Sequence, residues 1–154
     1  MVAGCHLAQV NIAKVAAPLD DPLMAEFVGN LVRINALAEA SPGFVWRLMD
    51  AAGDATHIQA FEDPRIIVNM SVWTSLEALF DFTYRTDHTP FIGRRRDWFE
   101  KLVGPHMALW WVKAGHLPDV AEARTKLDLL AAAGPNPDAF TFKQRFPAPA
   151  IHAL

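Results

Sequence analysis

Residues 71–113 concentrate the side chains with the widest chemical range in this chain. They include four of the five tryptophans, three consecutive arginines and two of the six histidines. An imidazole exchanges protons near neutral pH, a guanidinium pairs with anions, and an indole stacks on flat apolar molecules. We expect this segment to form much of the wall of a small-molecule pocket.

We predict a catalytic role for His88 and Arg95. His88 lies between two predicted helices, where a neutral imidazole can take a proton from an acidic phenol or enol, or can ligate haem. Arg95 falls among apolar residues at helical spacing, where it can bind a carboxylate or an enolate. Each residue also has a purely structural interpretation. His88 can bond the backbone near the Thr89-Pro90 helix start, and Arg95 can form an ion pair or lie on the surface.

Five further residues are predicted to bind substrate, for two different reasons. Two asparagines share one face of the predicted sheet with Gln9, where amides can hold a carbonyl or stabilise an oxyanion. Cross-strand amide bonding or contacts with a second subunit explain them equally well. Tryptophans can stack on a flat substrate or simply pack in the core. The five residues are Asn11, Asn69, Trp73, Trp110 and Trp111.

The remaining chemistry-bearing residues give no sign of a metal or cofactor site. The other histidines lack close pairing, and neither His-x-x-x-His nor His-x-His occurs. Cys5 is the only cysteine and has no obvious histidine partner in sequence, which favours a buried thiol over a nucleophile. No glycine-rich phosphate loop is present. We therefore predict no metal and no cofactor, with haem held by His88 or His106 as the alternative.

Size and charge restrict the class of protein. A chain of 154 residues is expected to form a single domain, with its core over about residues 6–149. The net charge of -3 and a single short basic run argue against general binding to nucleic acid. A lone cysteine suits a reducing compartment, and neither an export signal nor a stretch of about 20 apolar residues is visible. We expect a soluble cytoplasmic protein that does not bind membranes.

The hydrophobic periodicity changes several times along the chain and predicts the order β-α-β-β-α-α-β-α-β. This order is typical of an α+β fold, a ferredoxin-like split βαβ arrangement whose helices cover one face of an antiparallel sheet. The predicted strands span 6–15, 44–49, 66–73, 107–112 and 139–146, and the predicted helices span 23–38, 74–86, 90–103 and 119–133.

Two local sequence patterns lead to further predictions, one about a helix start and one about a sheet face. Thr74 and Glu77 have the spacing of a capping box, which predicts a helix start at Thr74. The second sheet face carries Gln9, Asn11 and Asn69, so it is neither plain core nor plain solvent surface. Either a polar-lined cavity or a partner subunit is expected to cover it.

Several motifs together resemble a known family. They are Trp73-Thr74-Ser75-Leu76-Glu77-Ala78-Leu79, Arg96-Asp97-Trp98-Phe99-Glu100, Leu109-Trp110-Trp111-Val112 and Ala139-Phe140-Thr141-Phe142. The chain resembles an uncharacterised bacterial domain family of the dimeric α/β-barrel superfamily, whose members are similar to antibiotic-biosynthesis monooxygenases. The resemblance covers residues 6–149. It implies a homodimer in which two sheets face each other and enclose a barrel.

The resemblance leaves the reaction open, because relatives in this superfamily include cofactor-free monooxygenases, haem-degrading enzymes, isomerases and stress-response proteins. Together with the pocket residues it favours a cofactor-independent monooxygenase or isomerase that acts on an aromatic, phenolic or enolisable compound. Two alternatives remain. One is a non-catalytic or stress-response dimer that binds a hydrophobic ligand, and the other is a haem-binding protein.

Overall fold

An antiparallel sheet of five strands with a long central strand organises the molecule. The computed structural model describes residues 4–49, 58, 61–85 and 98–149. In this part the strands are β1 (Cys5–Val15), β2 (Phe44–Arg47), β3 (Ile66–Trp73), β4 (Phe99–Glu100) and β5 (Met107–Lys113). The helices are α1 (Ala25–Glu39), which follows a 3-10 turn at Pro22–Met24, α2 (Leu76–Arg85) and α3 (Val120–Ala133).

Strand β1 is paired on both edges. It runs antiparallel to β3 on one side and to β5 and β4 on the other, and β2 lies outside β3. The connection from β1 through α1 to β2 therefore skips β3, and the connection from β3 through α2 to β5 skips β1. Two interleaved connections of this kind define the split βαβ arrangement. The predicted α+β, ferredoxin-like fold is confirmed.

Alternation along the strands directs side chains to two separate cores. Ala8, Val10 and the apolar partners on β3 pack under α3, in a cluster that includes Leu127. Leu7 and Trp73 point the other way and pack under α1 and α2. The parity predicted for β1 and β3 is confirmed, but the expectation that helices cover only one face is wrong. Helices cover both faces, because the apolar stripe of α3 needs a surface that α1 and α2 do not occupy.

Polar side chains cap the 3-10 turn before α1 and the starts of α2 and α3. Asp21 accepts a hydrogen bond from the backbone N–H of Leu23 at 2.9 Å, and Asp119 accepts one from Glu122 at 2.8 Å. At α2 the cap is Ser75, whose Oγ accepts from the backbone N–H of Ala78 at 3.1 Å. The helix therefore begins one residue later than the predicted Thr74 cap. Thr74 instead follows β3 directly, with its backbone N–H bonded to the turn at the start of β2.

Two predicted elements are absent or replaced within the described residues. Phe99–Glu100, which we expected in a helix over 90–103, forms the short strand β4. It pairs with Lys14 and Val15, the end of β1 that β5 does not reach. The expected strand over 139–146 is not formed. Only Phe140 pairs with the sheet, through two hydrogen bonds of 2.8 Å to Leu109, and the following residues turn away.

In the described ranges, the structure contains no helix with both the length and the apolar character needed to cross a membrane.

Among the described glycines with a positive φ and a measured surrounding space, Gly43 is the one that has no room for a side chain. It has φ +85°, and a Cβ placed there would lie 2.5 Å from the Ala78 Cβ and 2.8 Å from the Thr74 Oγ1. Gly115 has a similar φ of +93° but open space around it. We predict that Gly43→Ala lowers the free energy of unfolding by about 1–3 kcal/mol more than Gly115→Ala does, because overlap adds to backbone strain. Urea denaturation of both variants measures this difference, and equal losses would contradict it.

Candidate small-molecule site

A cavity of about 320 Å³ lies between the sheet and the two helices α1 and α2. Its volume is at the lower end of the range of small-molecule pockets, roughly 300–1,000 Å³. The helices contribute apolar side chains and the sheet contributes most of the polar ones. The apolar walls include Phe27, Leu31, Ile34, Ala38, Phe44, Leu79, Phe82, Phe99 and Phe142. We expected either a polar-lined cavity or a partner subunit over the polar sheet face. The structure shows the polar-lined cavity.

The strand register arranges the cavity floor in rows. One row is aromatic, because Phe44 pairs with Trp73. The next row is polar and runs from Arg47 through Ser71 to Gln9. The third row contains the facing pair Asn69 and Asn11. Neighbouring strands are about 4.8 Å apart, so these groups lie within reach of one small ligand.

A hydrogen-bonded network connects the polar row to its neighbours. Gln9 Nε2 donates to Asn69 Oδ1 and to Ser71 Oγ, both at 2.8 Å. The Trp73 indole Nε1 also donates to Ser71 Oγ, at 2.9 Å. Gln9 and Ser71 are only 5% and 7% exposed, so these groups depend on one another rather than on bulk water.

The network fixes which groups are left for a ligand. A hydroxyl oxygen has two lone pairs and one proton, and both Ser71 lone pairs are already used by Gln9 and Trp73. The Ser71 proton therefore remains available for donation. The Asn69 oxygen already accepts from Gln9, which leaves its amide N–H groups as donors. The free hydrogen-bonding capacity of Ser71 is thus for donation, and that of Asn69 is mainly so.

Trp73 and Asn11 both line the cavity. Trp73 is fully buried, stacks on Phe82 with ring centroids 5.2 Å apart, and meets Phe44 edge-on at 5.5 Å. Asn11 is half-buried, faces Asn69 across the strand pair, and lines the cavity. Three of the predicted substrate-binding residues, Asn11, Asn69 and Trp73, therefore come together around one cavity.

Trp110 and Trp111 lie elsewhere. Trp110 is on the opposite face of the sheet under α3, 1% exposed, and its Nε1 donates to Glu122 Oε2 at 2.9 Å. Trp111 shares the cavity side of the sheet, but its Nε1 donates to the Phe146 carbonyl at 2.9 Å. It borders a second pocket near Cys5 instead. Strand parity separates these two neighbours in sequence, because successive side chains point to opposite faces.

The predicted catalytic residues His88 and Arg95 lie outside the described residues. His106 is described, is exposed, and lines the cavity just before β5. Its backbone carbonyl accepts a hydrogen bond from Ile12 at 2.8 Å, which fixes this corner against β1. In the described part of the chain, no group of three or more His, Cys, Asp or Glu residues is arranged to hold a metal ion.

Sequence reasoning missed Arg47, which also lines the cavity. In a regular strand Phe44 and Arg47 would point to opposite faces. A bulge between Phe44 and Trp46 shifts the register, so that Phe44 pairs with Trp73 and Arg47 pairs with Ser71 on the same face. No pattern in the sequence indicates this extra residue, which explains why alternation alone does not place Arg47 at the site.

The family of the chain follows from a match over nearly its whole length. Residues 6–153 match a family described as a domain of unknown function, DUF3291. The chain belongs to this family. The predicted membership in an uncharacterised domain family is confirmed. No curated protein matches the chain.

Solved structures with a similar fold differ strongly in sequence. SnoaB, a cofactor-independent oxygenase from Streptomyces nogalater, has 20% identity and a TM-score of 0.46, with 74% of this chain and 98% of SnoaB covered. A protein from Pseudomonas aeruginosa has 13% identity and a TM-score of 0.47, with 77% of this chain and 99% of that protein covered. A protein of unknown function from Nitrosomonas europaea has 12% identity and a TM-score of 0.47, with 75% of this chain and 96% of that protein covered.

We expect the hydrogen-bonded network around Ser71 to stabilise the fold. In a Ser71→Ala variant, Gln9 and Trp73 both lose a buried acceptor, so we expect the free energy of unfolding to fall by about 1–3 kcal/mol. Thr125→Ala is the control, because it removes an exposed hydroxyl on α3 that bonds only the Ala121 carbonyl. Urea denaturation of the two variants measures the effect. A Ser71→Ala loss no larger than that of the control would show that the network contributes little.

Proposed function

We propose that this chain is an enzyme of small-molecule metabolism that acts on an aromatic, phenolic or enolisable compound as a cofactor-independent monooxygenase or isomerase. The observation that supports it is the combination of an aromatic cavity with donors at its floor. Neither feature alone would suggest a reaction. Together they suit a flat substrate that becomes an anion during the reaction.

The donors match the chemistry of such an anion. Removing a proton from a phenol or an enolisable carbon places negative charge on an oxygen, and an apolar cavity disfavours that charge unless donors face it. The Asn69 amide and the Ser71 hydroxyl retain donors for this oxygen, and the Asn11 amide lines the same cavity. Donors held in place by a network need no rearrangement when the charge forms, and each such donor contributes roughly 10²–10³-fold to the rate.

The walls suit the flat part of the substrate. Trp73 stacks on Phe82 and meets Phe44 edge-on, so these rings hold one another in place before a ligand enters. An aromatic ring of a substrate would bury apolar surface between such walls and make favourable ring contacts with them.

Two histidines are proposed as the base. His88 is the residue proposed from the sequence, and His106 is proposed because it lines the cavity. A neutral imidazole is suited to accept a proton from a phenol or an enol. Separate His88→Ala and His106→Gln variants distinguish the two, because only the residue that takes the proton should change the pH profile of the rate.

The two candidate reactions share the deprotonation and differ afterwards. In the monooxygenase, an enolisable CH₂ group plus O₂ gives C=O plus H₂O, so the substrate supplies all the electrons and no other reductant enters. In the isomerase, the proton returns to a different carbon and no oxygen is consumed. Oxygen uptake therefore separates the two reactions.

The test is turnover of naphthols and dihydroxynaphthalenes, followed by an oxygen electrode and by absorbance for isomerisation. We predict that Asn69→Ala lowers kcat by about 10²-fold, because one oxyanion donor is lost. Trp110→Phe is the matched control, since Trp110 lies on the other face of the sheet, and it should retain the rate. Equal rates in Asn69→Ala and the wild type would contradict the role of Asn69. Binding without turnover of any compound would favour the non-catalytic ligand-binding alternative.

A homodimer is part of the proposal and is supported by the family resemblance. We expect sedimentation at micromolar concentration to give twice the mass of one chain. Because helices already cover both sheet faces within the chain, the subunits need not share the cavity. A single-chain mass under these conditions would contradict dimerisation and would leave the proposed chemistry intact.

A further inference from the structure

Arg47 places a positive charge at one side of the cavity. It is the last residue of β2, pairs with Ser71, and lines the cavity. Its side chain is only 11% exposed. A guanidinium in this position is costly to bury unless acceptors surround it.

The protein itself compensates this charge only in part. Within the described residues, Arg47 has one ion-pair partner, Glu39, with 3.5 Å between Nε and Oε2. The Glu39 side chain is 46% exposed at the end of α1, so water weakens the attraction. Arg47 Nε is buried and, among the described residues, has no hydrogen-bond acceptor. Within the described residues, the Nε–H side of the guanidinium fork is therefore not used by a protein acceptor.

The unused fork has a natural complement in a ligand. A carboxylate accepts two parallel N–H bonds from a guanidinium, and such pairs are about twice as strong as neutral hydrogen bonds. A neutral group of the same shape leaves part of the fork unsatisfied. The cavity should therefore distinguish an acid from its uncharged isostere.

The position of Arg47 relative to the amide pair suggests the shape of the ligand. Arg47 is on β2 and Asn11 is on β1, with β3 between them. Two strand spacings amount to about 10 Å. A carboxylate on one end of a one-ring or two-ring aromatic skeleton and an ionisable oxygen on the other end would reach both groups.

We propose that Arg47 is a specificity residue and that the substrates are aromatic carboxylic acids, bound with the carboxylate on Arg47 and the reacting oxygen near Asn11, Asn69 and Ser71. This inference rests on the proposed function, because it names the substrate class of the same cavity. It differs from the role predicted for Arg95, which concerns a residue outside the described part of the chain.

The test compares 2-naphthoate with 2-naphthamide, which have the same ring system and differ in charge. Quenching of tryptophan fluorescence or calorimetry reports their binding. We expect the wild type to bind the naphthoate about tenfold or more tightly than the naphthamide, as a charged hydrogen-bonded pair implies. Arg47→Gln should bring the ratio close to one, mainly by weakening binding of the naphthoate. Arg47→Lys should give an intermediate ratio, because it keeps the charge without the fork.

Glu39→Gln is the control for a purely structural ion pair. If Arg47 only forms an ion pair between β2 and α1, Glu39→Gln and Arg47→Gln should lower the free energy of unfolding equally. Neither variant should then alter the ratio of naphthoate to naphthamide affinity. That result would overturn the proposal. If Arg47 binds the ligand, Glu39→Gln should retain or increase the preference for the naphthoate, because the competing carboxylate is gone.

The outcomes separate this inference from the proposed function. Turnover of naphthols with no preference for the acid would overturn the substrate class and leave the enzyme proposal standing. A strong preference for the naphthoate without turnover of any compound would support Arg47 and count against catalysis. Failure of both naphthalene probes to bind the wild type would overturn the substrate class directly.

Discussion

The structure depends on the pairing of β1 along both of its edges. β3 occupies one edge, β5 and β4 occupy the other, and every pair is antiparallel. Because side chains alternate along a strand, this central position commits each residue of β1 to one of two buried faces. A slip of one residue would exchange Val10 with Gln9 and place an amide in the core under α3. The same constraint that holds the sheet together therefore also positions the floor of the cavity.

The polar floor is stable because its members satisfy one another. A buried amide such as Gln9 costs free energy unless its donors are paired, and Asn69 and Ser71 accept both of them. The arrangement leaves donors of Ser71 and Asn69 unused, so structural satisfaction and readiness for an anion come from the same bonds. A network of this kind restricts the fold to one register, and it supplies a site whose donors are already oriented.

Helix placement decides what the cavity can contain. The stripe of α3, which includes Leu127, packs on the sheet face that carries Trp110, and both side chains are buried there. On the other face, α1 and α2 meet the sheet through Trp73 and Leu7 at one end and leave the volume next to the amides open. The two faces differ because the cavity floor is polar. Apolar helix side chains gain no free energy by packing against polar groups.

Periodicity and capping residues by themselves determined the central elements of this protein. The alternation over β1 and β3 and the split βαβ order follow from local rules that act within a few residues, as do the caps that the structure shows at Asp21 and Asp119. Tertiary structure alone decided three things that act over longer distances. A β-bulge turned Arg47 toward the cavity, the unpaired end of β1 recruited Phe99–Glu100 as a strand, and packing on both sheet faces separated the site from Trp110. These outcomes depend on which strand edge or face remains unfilled, and that is a property of the assembled sheet, not of any short stretch of sequence.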